Sequence, residues 1–345
     1  MVNFGRDYSW AVADIRAKER ATDIPGRIGE AMLGWPDWLD GQVGVIFATL
    51  YATAASCHAC QWDVPTYSTS AEAYAIFQDQ LAAYHRLLDS HPDKFYLIKT
   101  RADLEAGLTG WTAGRRRLGL VLLIEGAEGV REPEELEAWF AQGVRVIGPA
   151  WQTTRYAKGP GEAGGFTSEG RRLLKKMADL GIILDLSHLS DDAVKEALVD
   201  FPGTLIASHS NARALLPHSQ PARNLTDAMI RDIAAREGII GIVFFNEFVK
   251  DGFKMGDPRE QVGLADVIAH IDYMAQLVGH TRHIGLGSDL DGGYGLADSP
   301  TGLDSIADLG RIGEALDRRG YAVEDIERIL SGNWLRLLRE TLPVD

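Results

Sequence analysis

Residues 182–188 read IILDLSH, an apolar run that ends on polar residues. Three other stretches share this form: LVLLIEG at 120–126, TLIASHS at 204–210 and HIGLGSD at 283–289. Short apolar runs that alternate with helical periodicity read as parallel strands buried on both faces. In such folds the strand C-termini converge where ligands bind. The four runs would deliver Glu125, His188, His209 and Asp289 to those ends. Two imidazoles and two carboxylates so placed point to metal-assisted hydrolysis.

Working outward, strands are expected at Val43–Leu50, Phe95–Lys99, Leu118–Ile124, Val144–Gly148, Ile182–Leu186, Thr204–Ala207, Ile239–Phe245 and His283–Gly287. Helices are expected at Ala71–Leu88, Pro133–Ala141, Ser168–Leu180, Asp191–Val199, Asp227–Glu237, Leu264–Val278, Leu303–Arg319 and Val323–Thr341. Ser190 and Thr226 suit N-caps, Pro133 a first turn, and Gly181 and Gly238 helix ends. This alternation predicts an α/β fold, a TIM-like (β/α)8 metallo-hydrolase barrel forming one domain over 1–345. Phe95–Lys99 is flanked by Asp93, Lys94 and Arg101, which suits a peripheral strand better than a central one. Setting it aside leaves seven barrel strands, one short of closure.

Hydrophobic residues make up 46% of the 345, enough for a large core. A net charge of −14 argues against nucleic acid or an anionic membrane as partner. Arg115–Arg117 is a short basic run that suits a solvated helix surface. The two cysteines make no disulfide framework and imply a reducing compartment, and no signal peptide is legible. A cytoplasmic protein is therefore expected. Val43–Trp62, free of Asp, Glu, Lys and Arg, holds Ser56, His58 and Gln61 and reads as a strand with its loop rather than a span.

Catalytic zinc is often held by two His and one Glu with a position left for water. Glu125, His188 and His209 supply that set, and Asp289 would shuttle the proton to the leaving amine. The plainer reading, that a histidine after a strand is a hydrogen-bonded rim residue, fits one histidine better than four such groups on strand ends. Cys57-His58-Ala59-Cys60 lacks the second pair of a four-ligand zinc site. His85, His270 and His280 fit surface or packing roles, and His218 fits an exposed loop. Gly285, Gly287, Gly292 and Gly293 do not form a phosphate loop and instead suit tight turns beside Asp289. A phosphate-binding barrel is thereby disfavoured.

IEGAEG around Glu125, DLSHLS around His188, ASHSNAR around His209, PARNLTD around Arg223, GSDLDGG around Asp289 and SGNWLR around Asn333 together resemble the membrane (renal) dipeptidase family, peptidase family M19. The likeness runs in order over nearly the whole chain. It implies a (β/α)8 barrel with two Zn2+ ions bridged by a glutamate, a dipeptide substrate and a possible homodimer. By the same resemblance Glu125 is the bridging ligand, and His188 and His209 complete one zinc site. Asp289 is the acid/base carboxylate, and Arg223 grips the substrate carboxylate, a task its planar fork suits. Without the resemblance Arg223 would read as a surface salt bridge.

Two departures matter. The family's first strand ends in His-x-Asp, whereas no histidine precedes His58 here. Asn3–Asp7 resembles the segment that follows that strand. The expectation is a chain starting just after it, through a start codon placed too far downstream or through shortening. One or two zinc ions could then bind. The alternative reading is a metal-poor, catalytically weak homologue that binds a small ligand. Second, Trp151 in GPAWQTTRYAKG stands where family members often place a histidine. Trp151 is expected to shape the substrate pocket, and Arg155 and Tyr156 to pack the loop.

Overall fold

Strand β5 (Leu118–Glu125) is buried at seven of its eight positions, the pattern of a strand covered on both faces. In a computed structural model describing residues 4–57, 60, 62–219 and 221–344, it is the central strand of a parallel sheet. The strands in chain order are β1 (Val45–Tyr51), β2 (Thr53–Ala54), β3 (Thr66–Tyr67), β4 (Phe95–Leu97), β5, β6 (Val144–Gly148), β7 (Ile183–Asp185), β8 (Leu205–Ile206), β9 (Ile240–Ile242) and β10 (Ile284–Leu286).

Contacts divide the chain into two compact units. One holds Val43–Leu205 with stretches from both chain ends; the other holds Trp10–Gln42 and Ile206–Leu337. The division falls inside β8, not in a linker.

In the first unit β1 pairs with β5 along its length, from Val45 opposite Gly119 to Tyr51 opposite Glu125. On its other side β5 pairs with β4 at Leu118–Leu120 and then with β6 from Leu122 to Glu125. The peripheral reading of the 95–99 stretch holds: β4 is three residues long and engages only the start of β5. Its charged flanks have other partners, since Lys94 donates to the Ser9 carbonyl and the Lys99 carbonyl accepts from Arg145. β6 continues the sheet to β7 and β8. In the second unit Ala207 bridges to Ile240 of β9, which pairs with β10 from Ile284 to Leu286. Every one of these pairings is parallel.

Helix limits agree where capping is explicit. Ser168–Leu180 and Leu264–Val278 form as expected, and Ser190 and Thr226 cap by accepting from the amides of Ala193 and Met229. The last expected helix is broken into Val323–Glu327, a π turn at Arg328–Gly332, and Asn333–Thr341. Buried Asn333 donates to the carbonyls of Thr281 and Ile284, and Trp334 to that of Leu286. These bonds to β10 and the residue Thr281 before it lie where the helix widens. The expected Leu303–Arg319 helix starts late, after Gly302 takes φ +96°. Glu237, not Gly238, takes the left-handed turn after Asp227–Ala235. Helices at Val12–Glu19, Ile24–Ile28, Trp35–Asp40, Arg101–Thr112 and Asn246–Val249 were not expected. Arg101–Thr112 hides behind two glycines, of which Gly107 is required because a Cβ there would lie 1.7 Å from the Tyr96 hydroxyl oxygen. Among the described residues no helix is long and apolar enough to cross a membrane.

His270, on the buried face of the Leu264–Val278 helix, is 0% exposed. Its Nδ1 accepts from the Ala212 amide at 3.2 Å, and its Nε2 lies 3.0 Å from the Val249 carbonyl oxygen. Burial pushes its pKa from 6.5 down to about 4, against the pull of the Val249 carbonyl and Asp266. The unfolded chain gains a proton below pH 6.5 that the folded chain refuses until about 4. Stability present above 6.5 is therefore lost as pH falls through that window, by about 3 kcal/mol at its foot. Urea unfolding in chelator should show wild type losing more stability between pH 7.5 and 4.5 than His270→Gln. Equal losses in the two proteins would refute the assignment.

Candidate metal centre

β5 ends on Glu125, and β7 ends on Asp185, from which Leu186 and Ser187 lead to His188. His188 takes φ +65°, a conformation that a non-glycine residue adopts at a cost. The turn brings its Nε2 to 3.1 Å from Glu125 Oε1, with 11% and 14% of the two side chains exposed. β8 is followed by Ser208 and His209, whose ring is buried. Each of Glu125, His188 and His209 offers one ligand atom, and those atoms all lie within 4.8 Å of one another. Two imidazoles and a carboxylate at that spacing match the His2Glu donor set of zinc sites.

The supports of each donor lie nearby. Ser208 Oγ is 2.7 Å from His209 Nδ1. A hydroxyl held at Nδ1 fixes the orientation of the ring. Asp185 accepts from the Ser187 amide at 3.0 Å, bracing the turn that carries His188.

Trp151 follows β6 and lies with its ring 5.7 Å from that of His188, 5.1 Å from Tyr51 and 6.3 Å from Trp62. Tyr51, the residue opposite Glu125 across the β1–β5 pair, stacks on Trp62 at 6.1 Å. Its hydroxyl shares a bond with Thr53, which donates to Asp63. Burial above all holds the Tyr51 pKa well above 10, and the charge on Glu125 adds to it. Tyr51 and Trp62 were not singled out from sequence. The signal was present, because Tyr51 ends a strand as Glu125 does.

One alternative falls and one expectation changes. Arg223 is no surface salt bridge: it is 7% exposed and donates to Ser210 Oγ at 3.1 Å and to the His209 carbonyl at 2.9 Å. Its guanidinium also lies 5.2 Å from the Phe248 ring. The two cysteines, expected to form no disulfide framework, are joined as Cys57–Cys60, with Gln152 donating to Cys57 Sγ at 2.9 Å. Tertiary folding puts both sulfurs in one buried turn, so cysteine count alone does not argue for a reducing compartment. His58, Gln61 and Asn3 lie outside the described residues.

Asp289 lies outside the three-residue group, at φ +56°, two residues before Asp291 at φ +61°. The turn reading holds at Gly292 and Gly293, where a Cβ on Gly292 would meet Asp289 Oδ1 at 2.1 Å and Gly293 takes φ +96°, whereas Gly285 lies inside β10 against Trp334. Tyr156, wholly buried, donates to the Val130 carbonyl, as does Arg155, which also approaches Glu128. Both therefore pack the loop. His218 is exposed and pairs with Asp251.

Parallel strands whose C-terminal ends carry two histidines and a glutamate define an α/β metallo-hydrolase. The model of the membrane dipeptidase family, peptidase family M19, matches residues 33–344. The chain belongs to that family and is a metallo-dipeptidase of the TIM-like α/β class. It is 34% identical over 275 residues to an uncharacterised protein of the pqqA 5' region of Klebsiella pneumoniae, covering 76% of this chain and 95% of that one. It is 29% identical to the dipeptidase aclJ of Aspergillus oryzae, covering 77% of this chain and 61% of that longer one. A metallopeptidase from Rhodobacter sphaeroides, solved with a phosphinate mimic of L-Ala-D-Ala, shares its fold with a TM-score of 0.79 at 24% identity, covering 96% of this chain and 97% of that one.

Ser208→Ala removes the group that orients His209. Divalent-metal affinity, read by competition with a chromophoric chelator, should fall about tenfold or more. Unchanged affinity would remove Ser208 from the site.

Proposed function

We propose that this chain is a zinc-dependent dipeptidase, hydrolysing the peptide bond of a dipeptide with an activated water. The observation that carries the reading is the meeting of Glu125, His188 and His209 within 4.8 Å. In this reading these three hold at least one Zn2+. When bound, the ion supplies polarisation of the scissile carbonyl and a lowered water pKa at neutral pH. Asp289 accepts the proton of the attacking water and returns it to the leaving amine. Arg223 offers its guanidinium to the free carboxylate of the substrate. Trp151, with Tyr51 and Trp62, forms an aromatic wall that sorts side chains by shape. Trp151 has an N–H to donate but cannot titrate, so it orients rather than exchanges protons. The phosphinate bound by the Rhodobacter peptidase makes dipeptides with a C-terminal D-residue a first choice of probe.

Purified protein should cleave L-Ala-D-Ala or a related dipeptide, lose activity to a chelator and regain it with Zn2+. Glu125→Gln should abolish both zinc retention and turnover. If metal-replete wild type cleaves no dipeptide, the alternative of a catalytically weak homologue binding a small ligand replaces this reading. Asp289→Asn should keep its zinc and KM but lose about 10²- to 10⁴-fold in kcat, the range of a proton-transfer residue. A variant losing zinc instead would assign Asp289 to the metal.

A further inference from the structure

We propose that His270 is a positioning residue for the segment that carries His209 and Arg223. The inference rests on the zinc dipeptidase reading, in which those two residues hold metal and substrate. His270 is the one polar member of a buried helix face otherwise made of Val267, Ile268, Ile271 and Met274. An apolar side chain of similar size would pack there without any hydrogen bond to satisfy. The imidazole instead accepts from the Ala212 amide through Nδ1 and donates to the Val249 carbonyl through Nε2. That pair of bonds sets one neutral tautomer and ties two segments to one helix: the loop after β8 and the short Asn246–Val249 helix after β9.

The tied residue lies three positions past His209, and the intervening chain is held from every side. Asn211, wholly buried, donates from Nδ2 to the carbonyls of Val243 and Phe248, and its Oδ1 accepts from the Val243 amide. Its backbone amide donates to Asn224 Oδ1. Arg223, next to Asn224, reaches back to Ser210 Oγ and the His209 carbonyl. The metal-ligand segment and the Arg223 segment therefore move as one body, and the Ala212–His270 bond anchors that body to a helix. The Ala212 residue is itself 0% exposed, so loss of its acceptor would strand a buried N–H, which only a shift of the loop could relieve.

Two conservative variants separate the bonds. Asn places its Oδ1 near the position of the imidazole Nδ1, and Gln places its Nε2 near that of the imidazole Nε2. His270→Asn thus keeps the acceptor for Ala212, whereas His270→Gln keeps the donor to Val249. The expected result is that His270→Gln weakens zinc affinity and raises KM together, each by about tenfold or more, while His270→Asn stays within about threefold of wild type. Ala212→Pro offers a route that leaves the helix untouched, since Ala212 has φ −77° and proline lacks the N–H. It should reproduce the Gln phenotype if the Gln variant does not fold. Zinc affinity is read by chelator competition and KM on the same dipeptide, beside thermal melts of every variant. Asn and Gln variants with equal zinc affinity and KM would overturn the inference while wild-type zinc binding and cleavage stand. A wild type that neither binds zinc nor cleaves dipeptide overturns the underlying reading as well.

Discussion

A carboxylate at the end of an apolar strand, largely withdrawn from water, is costly unless something offsets its charge. Glu125 is in that position, 3.1 Å from the imidazole of His188. A second buried imidazole, that of His209, brings its ligand atom within the same 4.8 Å. Three electron-pair donors crowded together repel one another in the absence of a shared proton or cation. A divalent ion relieves all three at once, which is why this donor set and this degree of burial go together in metallo-hydrolases. The rest of the sheet serves that meeting: β5 carries the carboxylate, β7 and its strained turn carry one imidazole, and β8 carries the other.

Strain falls at the proposed site. Among the described residues, two of the five non-glycine residues with positive φ are His188 and Asp289, both on strand-end turns, and a third is Asp291, two positions past Asp289. Each such conformation costs on the order of 1–3 kcal/mol and persists only where surrounding packing imposes it. Here the imposing contacts are identifiable. Asp185 braces the His188 turn, and Gly292 gives Asp289 room that a side chain would occupy. Gly292 therefore acts as a spacer for a carboxylate.

The second half of the proposed site depends on polar groups hidden from water. Arg223, Asn211, Asn224 and His270 are buried, and bonds to backbone groups of neighbouring loops engage each of them. Satisfied buried polar groups allow few alternative arrangements, because a displaced partner is left without water to replace it. This is how loops, otherwise the mobile part of an α/β fold, hold functional side chains in place.

Strand positions, helix caps and the four strand-end residues were legible in the amino-acid sequence because they are local: an apolar run followed by His, Glu or Asp needs no knowledge of its neighbours. The family signature was legible for the same reason, as short motifs in order. Other features arise between residues far apart in the chain and so had no local signal. Asn333 reaches the Ile284 carbonyl of β10 where the final helix widens, and Gln152 donates to Cys57 Sγ from 95 positions away. Apart from the family resemblance nothing local marked Arg223, which the fold buries against the His209 loop, and His270 read as surface or packing until its ring nitrogens met backbone groups of two separate segments. Periodicity reports which side of an element faces inward. Only tertiary packing decides what a buried polar atom finds there.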